Sequence, residues 1–204
     1  MVEWSIAAFR ECEPVGSIVV ACPPGHVHHL GGDLVVVDGG ATRAESVSNA
    51  LQAVETELVA IHDAARPLVT AGLVEETVST LVADPDADGA IAASPVTDTI
   101  KTAASTNDAL SISEMDNASF VVETTLDRGR LWAAQTPQVF RVEALRAALS
   151  GDPERSAAAT DEAMLVEAAG GRVLIHPAPP GNLKVTTPLD LKLAELLLAE
   201  RSAK

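Results

Sequence analysis

Short apolar runs alternate with helical stretches along most of the chain, and this alternation restricts the possible folds more than any other feature. The runs with strand character are residues 17–22, 34–37, 58–61, 89–93 and 172–175. Apolar strands without a polar face are typical of parallel sheets that are covered on both sides. The sequence therefore predicts an α/β fold with a mostly parallel twisted sheet and helices on both faces.

Helix boundaries are marked by residues with known capping chemistry. Thr42 and Glu45 have the spacing of a capping box, in which each side chain binds the backbone of the other. Thr187 followed by Pro188 predicts an N-cap and a first helical residue. Further helices are predicted over residues 71–82 and 161–169.

Residues 97–125 interrupt the alternation. Two alternating segments, 97–101 and 119–124, flank a polar stretch, and this pattern is typical of a β-hairpin. We expect a single domain over residues 1–204, with residues 97–125 as a β-arm that pairs with a second subunit. An ordinary surface hairpin is the alternative.

Composition excludes several classes of protein. The 204 residues are 47% hydrophobic, which favours a folded globular chain over a disordered one. The net charge of -15 and the aromatic content of 2% disfavour binding to nucleic acid or to an anionic membrane. A small phosphorylated ligand remains compatible, because it requires only a few local cations.

The remaining sequence signals indicate a cytoplasmic chain. No apolar stretch reaches the roughly 18 residues of a membrane span, and the start lacks signal-peptide character. Cys12 and Cys22 are the only cysteines, and they lack metal-ligand spacing. The histidines of one Pro/Gly-rich turn have no partnered acid, so a solvated loop is favoured over a metal site: His26, His28 and His29.

An acid and a base follow the third apolar run directly, in the segment His62-Asp63-Ala64-Ala65-Arg66-Pro67. Open α/β sheets bind ligands beyond the carboxyl ends of their strands. There, Asp63 could face a metal-bound phosphate and Arg66 could face the phosphate itself. The alternative is a local Asp–Arg pair that only pins the loop.

Two further segments are compatible with ligand binding but are individually weak signals. Gly39 and Gly40 precede a helix and would let a base or a phosphate approach the backbone closely, although a tight turn explains them equally well. Asp161 and Glu162 favour the first turn of a helix through its dipole. Thr160 could cap that helix or hold a phosphate.

Taken together, the sequence resembles the 2-C-methyl-D-erythritol 4-phosphate cytidylyltransferases of the non-mevalonate isoprenoid pathway. The resemblance extends from near residue 3 to near residue 198. It rests on segments that occur in one order: 36–40, 43–47, 62–67, 95–101, 126–128, 134–140, 160–163 and 182–186.

The resemblance implies a Rossmann-like nucleotidyltransferase fold and a homodimer joined by the β-arm. It also implies Mg²⁺-dependent transfer of CMP from CTP to the phosphate of 2-C-methyl-D-erythritol 4-phosphate, with release of pyrophosphate. In such a reaction both partners are anionic, so cations must offset their repulsion, and no protein nucleophile is needed.

Residue roles follow from the same resemblance. Asp63, Arg128 and Lys184 are the expected catalytic residues, and Asp63 is expected to reach Mg²⁺ indirectly, through a metal-bound phosphate or water. The other expected contacts are grouped by ligand moiety: Gly40, Ala41 and Ser46 at the cytosine; Ala64, with Asp63, near the ribose; Thr136 and Thr160, with Lys184, at phosphate; Arg66, Thr99 and Lys101, with Arg128, for the acceptor.

The sequence also departs from the family pattern. A first strand and a Gly-rich loop that binds the CTP triphosphate have no counterpart here, so we expect exposed edges and apolar faces beside that position. Ala41 replaces an acidic residue at the base pocket, and Gly181 replaces an Asp before Asn182. The alternatives are an inactive remnant that keeps dimerisation and sugar-phosphate binding, and a related sugar-nucleotide transferase.

Overall fold

A computed structural model describes residues 1–25, 33–105, 120–151 and 159–202. The turn with His26, His28 and His29 lies outside the described residues. The chain divides into two compact units. The first consists of Met1–Ala93 and Ala134–Lys204, and the second consists of Ser94–Ala133.

The described residues form helices and strands in alternating order. The helices are α1 (Val2–Arg10), α2 (Arg43–Leu51), α3 (Ala71–Val82), α4 (Val142–Leu149), α5 (Glu162–Ala168) and α6 (Pro188–Ser202). The strands are β1 (Ile18–Cys22), β2 (Leu34–Asp38), β3 (Leu58–Ile61), β4 (Gly89–Pro95), β5 (Lys101–Ser105), β6 (Phe120–Thr125), β7 (Trp132–Arg141) and β8 (Val173–Pro177).

The strands of the first unit form a four-stranded sheet in the order β3-β7-β4-β8 and a separate parallel pair, β1-β2. β8 runs parallel to β4, whereas β7 runs antiparallel to β3. The predicted α/β class and its parallel strands are therefore present, with β7 as an antiparallel member that the apolar pattern did not indicate.

The predicted helix starts are observed with their expected capping bonds. The Thr42 side chain accepts from the Glu45 amide, and Glu45 accepts from the Thr42 amide in return. At the start of α6, the Asp190 amide donates to Thr187, and Asp190 accepts from the Thr187 amide. Each exchange satisfies backbone N–H groups that a helix start would otherwise leave unpaired.

The packing of the four-stranded sheet explains why residue 89 is a glycine. Phe140 and Val139 of β7 are fully buried, and the ring of Phe140 lies over Gly89 at the start of β4. A Cβ atom at Gly89 would lie 2.4 Å from that ring, so a side chain there would displace the aromatic ring. The close approach of β4 and β7 therefore requires glycine at this position.

Some predicted boundaries were wrong. The first strand of the hairpin begins at Lys101, so residues 97–100 precede it. Thr160 does not cap α5, because the N-cap is Asp161, whose side chain accepts from the Met164 amide. The capping role that had been considered for Thr160 therefore belongs to Asp161.

A cavity of about 830 Å³ lies between β1 and β3. Its apolar lining includes residues 18–21 of β1 and 58–61 of β3, together with Phe9 of α1 and Val47 of α2. Among the described strands, β1 pairs only with β2, and β3 pairs only with β7. The described residues thus leave two strand edges unpaired, with apolar faces beside them, as expected from the sequence.

The second unit is built around the antiparallel pair β5-β6. An irregularity between Thr102 and Ala103 shifts the register, and every residue of β6 is exposed. This pairing confirms the predicted hairpin. None of the helices in the described parts of the chain has both the length and the apolar character needed to cross a bilayer.

Candidate active site

Asp63 is the centre of a cluster of charged side chains beyond the end of β3. Its Oδ1 atom accepts from Nε and Nη2 of Arg43, both at 3.2 Å. Its Oδ2 atom lies 2.9 Å from the Lys184 ammonium and 3.9 Å from Nε of Arg66. Three cations thus surround one carboxylate that is only 15% exposed.

These neighbours determine the ionisation of Asp63. Burial on its own raises the pKa of the Asp63 carboxyl, because the charged form loses solvation. Lys184 and Arg43 outweigh that effect and lower the pKa of Asp63 below its usual value. The carboxyl is therefore ionised at neutral pH and can face a metal-bound phosphate only as an anion.

Arg66 connects three segments of the first unit. Its Nη1 atom donates to the carbonyl of Asn182 at 2.8 Å, and its Nη2 atom donates to the carbonyl of Ala134 at 3.4 Å. The amide of Val185 also donates to the carbonyl of Ala65 at 2.7 Å. These bonds pin the loop after β3, as the alternative interpretation expected, but through backbone carbonyls more than through Asp63.

His62 and Thr136 orient the same loop. The Nε2 atom of His62 lies 3.1 Å from the Arg66 carbonyl, which can only accept, so this nitrogen carries the proton. Burial lowers the pKa of His62 to about 4, so Nδ1 is an acceptor at neutral pH. The Thr136 hydroxyl therefore donates to Nδ1 at 3.0 Å, while it accepts from the Asp63 amide at 3.1 Å.

The loop between β2 and α2 is shaped by backbone contacts. Ser46 accepts from the Gly40 amide at 3.0 Å and donates to the Thr42 carbonyl. The Ala41 amide donates to Glu45, and a Cβ atom at Gly40 would lie 2.2 Å from the Cβ of Glu45. Gly40 is thus required by the capping turn itself. The lining of the cavity also includes polar and site residues: Ser46, Arg43, Asp63, Ala64 and Lys184.

Comparison with known proteins identifies the family. The family described as "IspD: 2-C-methyl-D-erythritol 4-phosphate cytidylyltransferase" matches residues 1–200. The enzyme of that name from Symbiobacterium thermophilum is 40% identical, over 97% of this chain and 80% of its own length. The chain belongs to this family.

Longer relatives contain the same region. A protein named "Bifunctional enzyme IspD/IspF" from Anaeromyxobacter sp. is 42% identical, over 94% of this chain and 48% of its own length. A second bifunctional relative, from Anaeromyxobacter dehalogenans, matches over 49% of its length. The chain thus spans about half the length of these two relatives.

Solved structures agree on the fold. The cytidylyltransferase crystal structure from Thermus thermophilus superposes with a TM-score of 0.77 at 34% identity, over 97% of this chain and 88% of that one. A 4-diphosphocytidyl-2C-methyl-D-erythritol synthase structure gives a TM-score of 0.78 at 31% identity, over 97% and 89%. The expected Rossmann-like nucleotidyltransferase fold is confirmed.

The structure brings several of the residues expected from the family together, whereas others lie in the second unit. Asp63, Lys184 and Arg66 form one cluster, and Thr136 is hydrogen-bonded to its loop. Thr160 is exposed, directly before the N-cap of α5. The second unit contains Thr99, Lys101 and Arg128, and there Nη1 of Arg128 donates to the Thr97 carbonyl at 2.7 Å.

Two residues of the cluster were not among the expected site residues. Arg43 belongs to one of the matching segments, but no role had been assigned to it. Glu162 had been interpreted as a first-turn charge, yet it is only 1% exposed and pairs with Arg43. Because the two residues are 119 positions apart along the chain, no local sequence pattern indicated this contact.

Proposed function

We propose that this chain transfers CMP from CTP to 2-C-methyl-D-erythritol 4-phosphate. The products are 4-diphosphocytidyl-2-C-methyl-D-erythritol and pyrophosphate. The observation that carries the proposal is the ionised Asp63 beside Lys184, Arg43 and Arg66, in a chain whose family is named for this reaction. The family match does not favour the inactive-remnant alternative.

The charges of the site suit the displacement. The acceptor phosphate must approach the α-phosphorus of CTP while both molecules are anionic, and negative charge grows on the departing pyrophosphate. The Lys184 side chain is 44% exposed, so its ammonium can contact phosphate oxygens while the buried part of the cluster stays fixed. Such a cation stabilises the transition state because it is in place before charge develops.

The donor set is compatible with Mg²⁺ bound mainly by substrate. The described residues contain no group of three or more His, Cys, Asp or Glu side chains that could hold a metal ion. Mg²⁺ commonly uses one or two carboxylates together with phosphates and water, and Asp63 supplies one carboxylate. Because Arg43 and Lys184 already contact both oxygens of Asp63, an indirect contact through phosphate or water fits best. When bound, Mg²⁺ would neutralise phosphate charge.

We propose substrate contacts for the expected site residues as follows. We assign Gly40, Ala41 and Ser46 to the cytosine, and Ala64 to the ribose. Thr160 and Thr136 are assigned to phosphate, although the Thr136 hydroxyl would have to release His62 before it could donate to a ligand. The acceptor is assigned to the following residues: Arg66, Thr99, Lys101 and Arg128.

We also propose that the chain acts as a cytoplasmic homodimer joined by the β-arm, without a nucleic-acid or membrane partner. The exposed apolar side chains of β6, which include Val121 and Val122, support burial against a second arm. Analytical ultracentrifugation tests this point. The exchange of Val121 and Val122 for threonine should shift the species from dimer to monomer.

Pyrophosphate release by the 204-residue chain tests the reaction. CTP, Mg²⁺ and 2-C-methyl-D-erythritol 4-phosphate should give release that depends on all three components, whereas UTP in place of CTP should give much less. Lys184→Met should abolish most of the signal, and Lys192→Met on α6 serves as the matched control. Equal rates with UTP or with other sugar phosphates would favour the related sugar-nucleotide transferase.

A further inference from the structure

Glu162 is a buried carboxylate for which the proposed reaction has no direct use. It is the first residue of α5, directly after the N-cap Asp161. Both of its carboxylate oxygens accept from Nη1 of Arg43 at 2.5 Å. A charged carboxylate is costly to bury unless a cation neutralises it. Burial raises the pKa of Glu162, and Arg43 opposes that rise.

Arg43 uses its opposite edge to hold Asp63. Its Nε and Nη2 atoms both donate to Oδ1 of Asp63, while Nη1 is bound to Glu162. A guanidinium is planar and rigid, so an anchor on one nitrogen fixes the direction of the other donors. Helix α2, the loop after β3 and helix α5 are therefore connected through one side chain.

The contacts divide the two oxygens of Asp63 between different partners. Oδ1 is bound to Arg43, which leaves Oδ2 directed to the Lys184 ammonium. A lost anchor at Nη1 would allow the partly exposed Arg43 to rotate, and Oδ1 would lose both of its donors. The carboxylate could then turn, and Lys184 would lose its fixed position.

We propose that Glu162 is a positioning residue, which holds Nη1 of Arg43 and thereby fixes the Asp63 carboxylate and the Lys184 ammonium in their working geometry. Glu162 itself does not contact substrate. The expected consequence for turnover rests on the proposed function, whereas the effect on Arg43 does not. The competing explanation is that Glu162 contributes only its charge or its packing.

Nuclear magnetic resonance of the Arg43 side chain tests the first step without any substrate. Rotation of a guanidinium held on both edges is slow, so the wild-type protein should show separate Nη signals for Arg43. In Glu162→Gln these signals should broaden or merge. Glu167→Gln removes one charge from the exposed face of the same helix, and it should leave the Arg43 signals unchanged.

Turnover tests the second step. Glu162→Gln should lower kcat roughly tenfold or more, with a smaller effect on KM for CTP, because it misplaces groups that act on the reacting phosphates. In an Arg43→Met background, the same substitution should have no further effect, since the connection to Asp63 is already broken. An equal loss in both backgrounds would overturn the proposal, as would unchanged Arg43 signals.

The outcomes separate this inference from the proposed function. An absence of turnover in the wild-type chain would count against the function, while the Arg43 spectrum would still decide the positioning role. If Glu162→Gln fails to fold, as judged by circular dichroism, Arg43→Lys replaces it. A lysine amine cannot hold Glu162 and Asp63 on two fixed edges. An unaltered kcat in Arg43→Lys would contradict the proposal.

Discussion

The hydroxyl of Thr136 and the imidazole of His62 are joined by a hydrogen bond of 3.0 Å, in which Thr136 donates to Nδ1. The same hydroxyl accepts from the amide of Asp63. The backbone amide of Asp63, the residue at the centre of the site, is thus bound to Thr136 of β7. A neutral His62 is required for this arrangement, since a protonated ring could not accept at Nδ1.

Stability should therefore depend on pH through His62. Its pKa is lowered to about 4 in the folded chain, against 6.5 as the ordinary value. The contribution of the neutral His62 ring to the free energy of unfolding is complete above pH 6.5. It is lost as the pH falls towards 4, because the unfolded chain takes up the proton first. The full effect is on the order of 3 kcal/mol.

Urea denaturation at a series of pH values from about 7.5 down to about 4.5 measures this dependence. His62→Gln should flatten the slope in that range. His176→Gln, which removes a histidine from β8, should retain the slope. A wild-type free energy of unfolding that stays constant across the same range would contradict the assignment.

Arg66→Lys should destabilise the first unit although the charge is retained. A lysine amine cannot replace both Nη donors, so the carbonyl of Asn182 or of Ala134 would lose its partner. We expect a loss of about 1–3 kcal/mol in the free energy of unfolding, measured by urea denaturation. Arg172→Lys, at an exposed pair with Asp84, should change stability by less than about 0.5 kcal/mol.

Gly40→Ala and Gly72→Ala should change the stability of the protein in opposite directions. A methyl group at Gly40 would collide with Glu45 and open the turn that precedes α2. A methyl group at Gly72, on the exposed surface of α3, meets no atom within 4 Å. Thermal unfolding should show a lower Tm for Gly40→Ala and a gain of about 0.5 kcal/mol for Gly72→Ala. A tolerated Gly40→Ala would mean that the turn can rearrange.

Arg128→Ala should weaken the acceptor more than the nucleotide. Loss of the proposed contact to the acceptor phosphate should cost about 1.5–3 kcal/mol, which initial-rate kinetics would show as a raised KM for 2-C-methyl-D-erythritol 4-phosphate. Arg130→Ala removes the other arginine of the same short 3₁₀ helix and should have little effect on KM. Equal weakening of both substrates by Arg128→Ala would exclude the assigned role.

Local chemistry made most elements predictable from sequence. The bounds of β3 and α3 agree with the apolar run and the helical pattern, and the capping residues Thr42 and Thr187 have the expected partners. β7 was not predicted as a strand, because Pro137 and two glutamines interrupt its apolar pattern, and proline normally argues against an internal strand.

From residue patterns alone, the site was predictable only where its residues lie within one segment, whereas Lys184 and Thr136 were expected from the family resemblance. Asp63 and Arg66 are three positions apart and could be recognised together, although their ion pair is a distant 3.9 Å. The contact of Arg43 with Glu162 depends on how α2 and α5 pack, which no local pattern determines. Glu162 was interpreted as a first-turn charge for the same reason, since burial of a single helix face is set by tertiary contacts.

The ion pair of Lys184 with Asp63 also affects the entropy of ligand binding. A free lysine side chain samples many rotamers, and the loss of that freedom opposes any contact the amine makes. Here, Asp63 restricts the side chain before any ligand arrives, so much of the ordering occurs when the protein folds. An arriving phosphate would then meet an ammonium that is already in place, and its affinity would be less reduced by side-chain ordering.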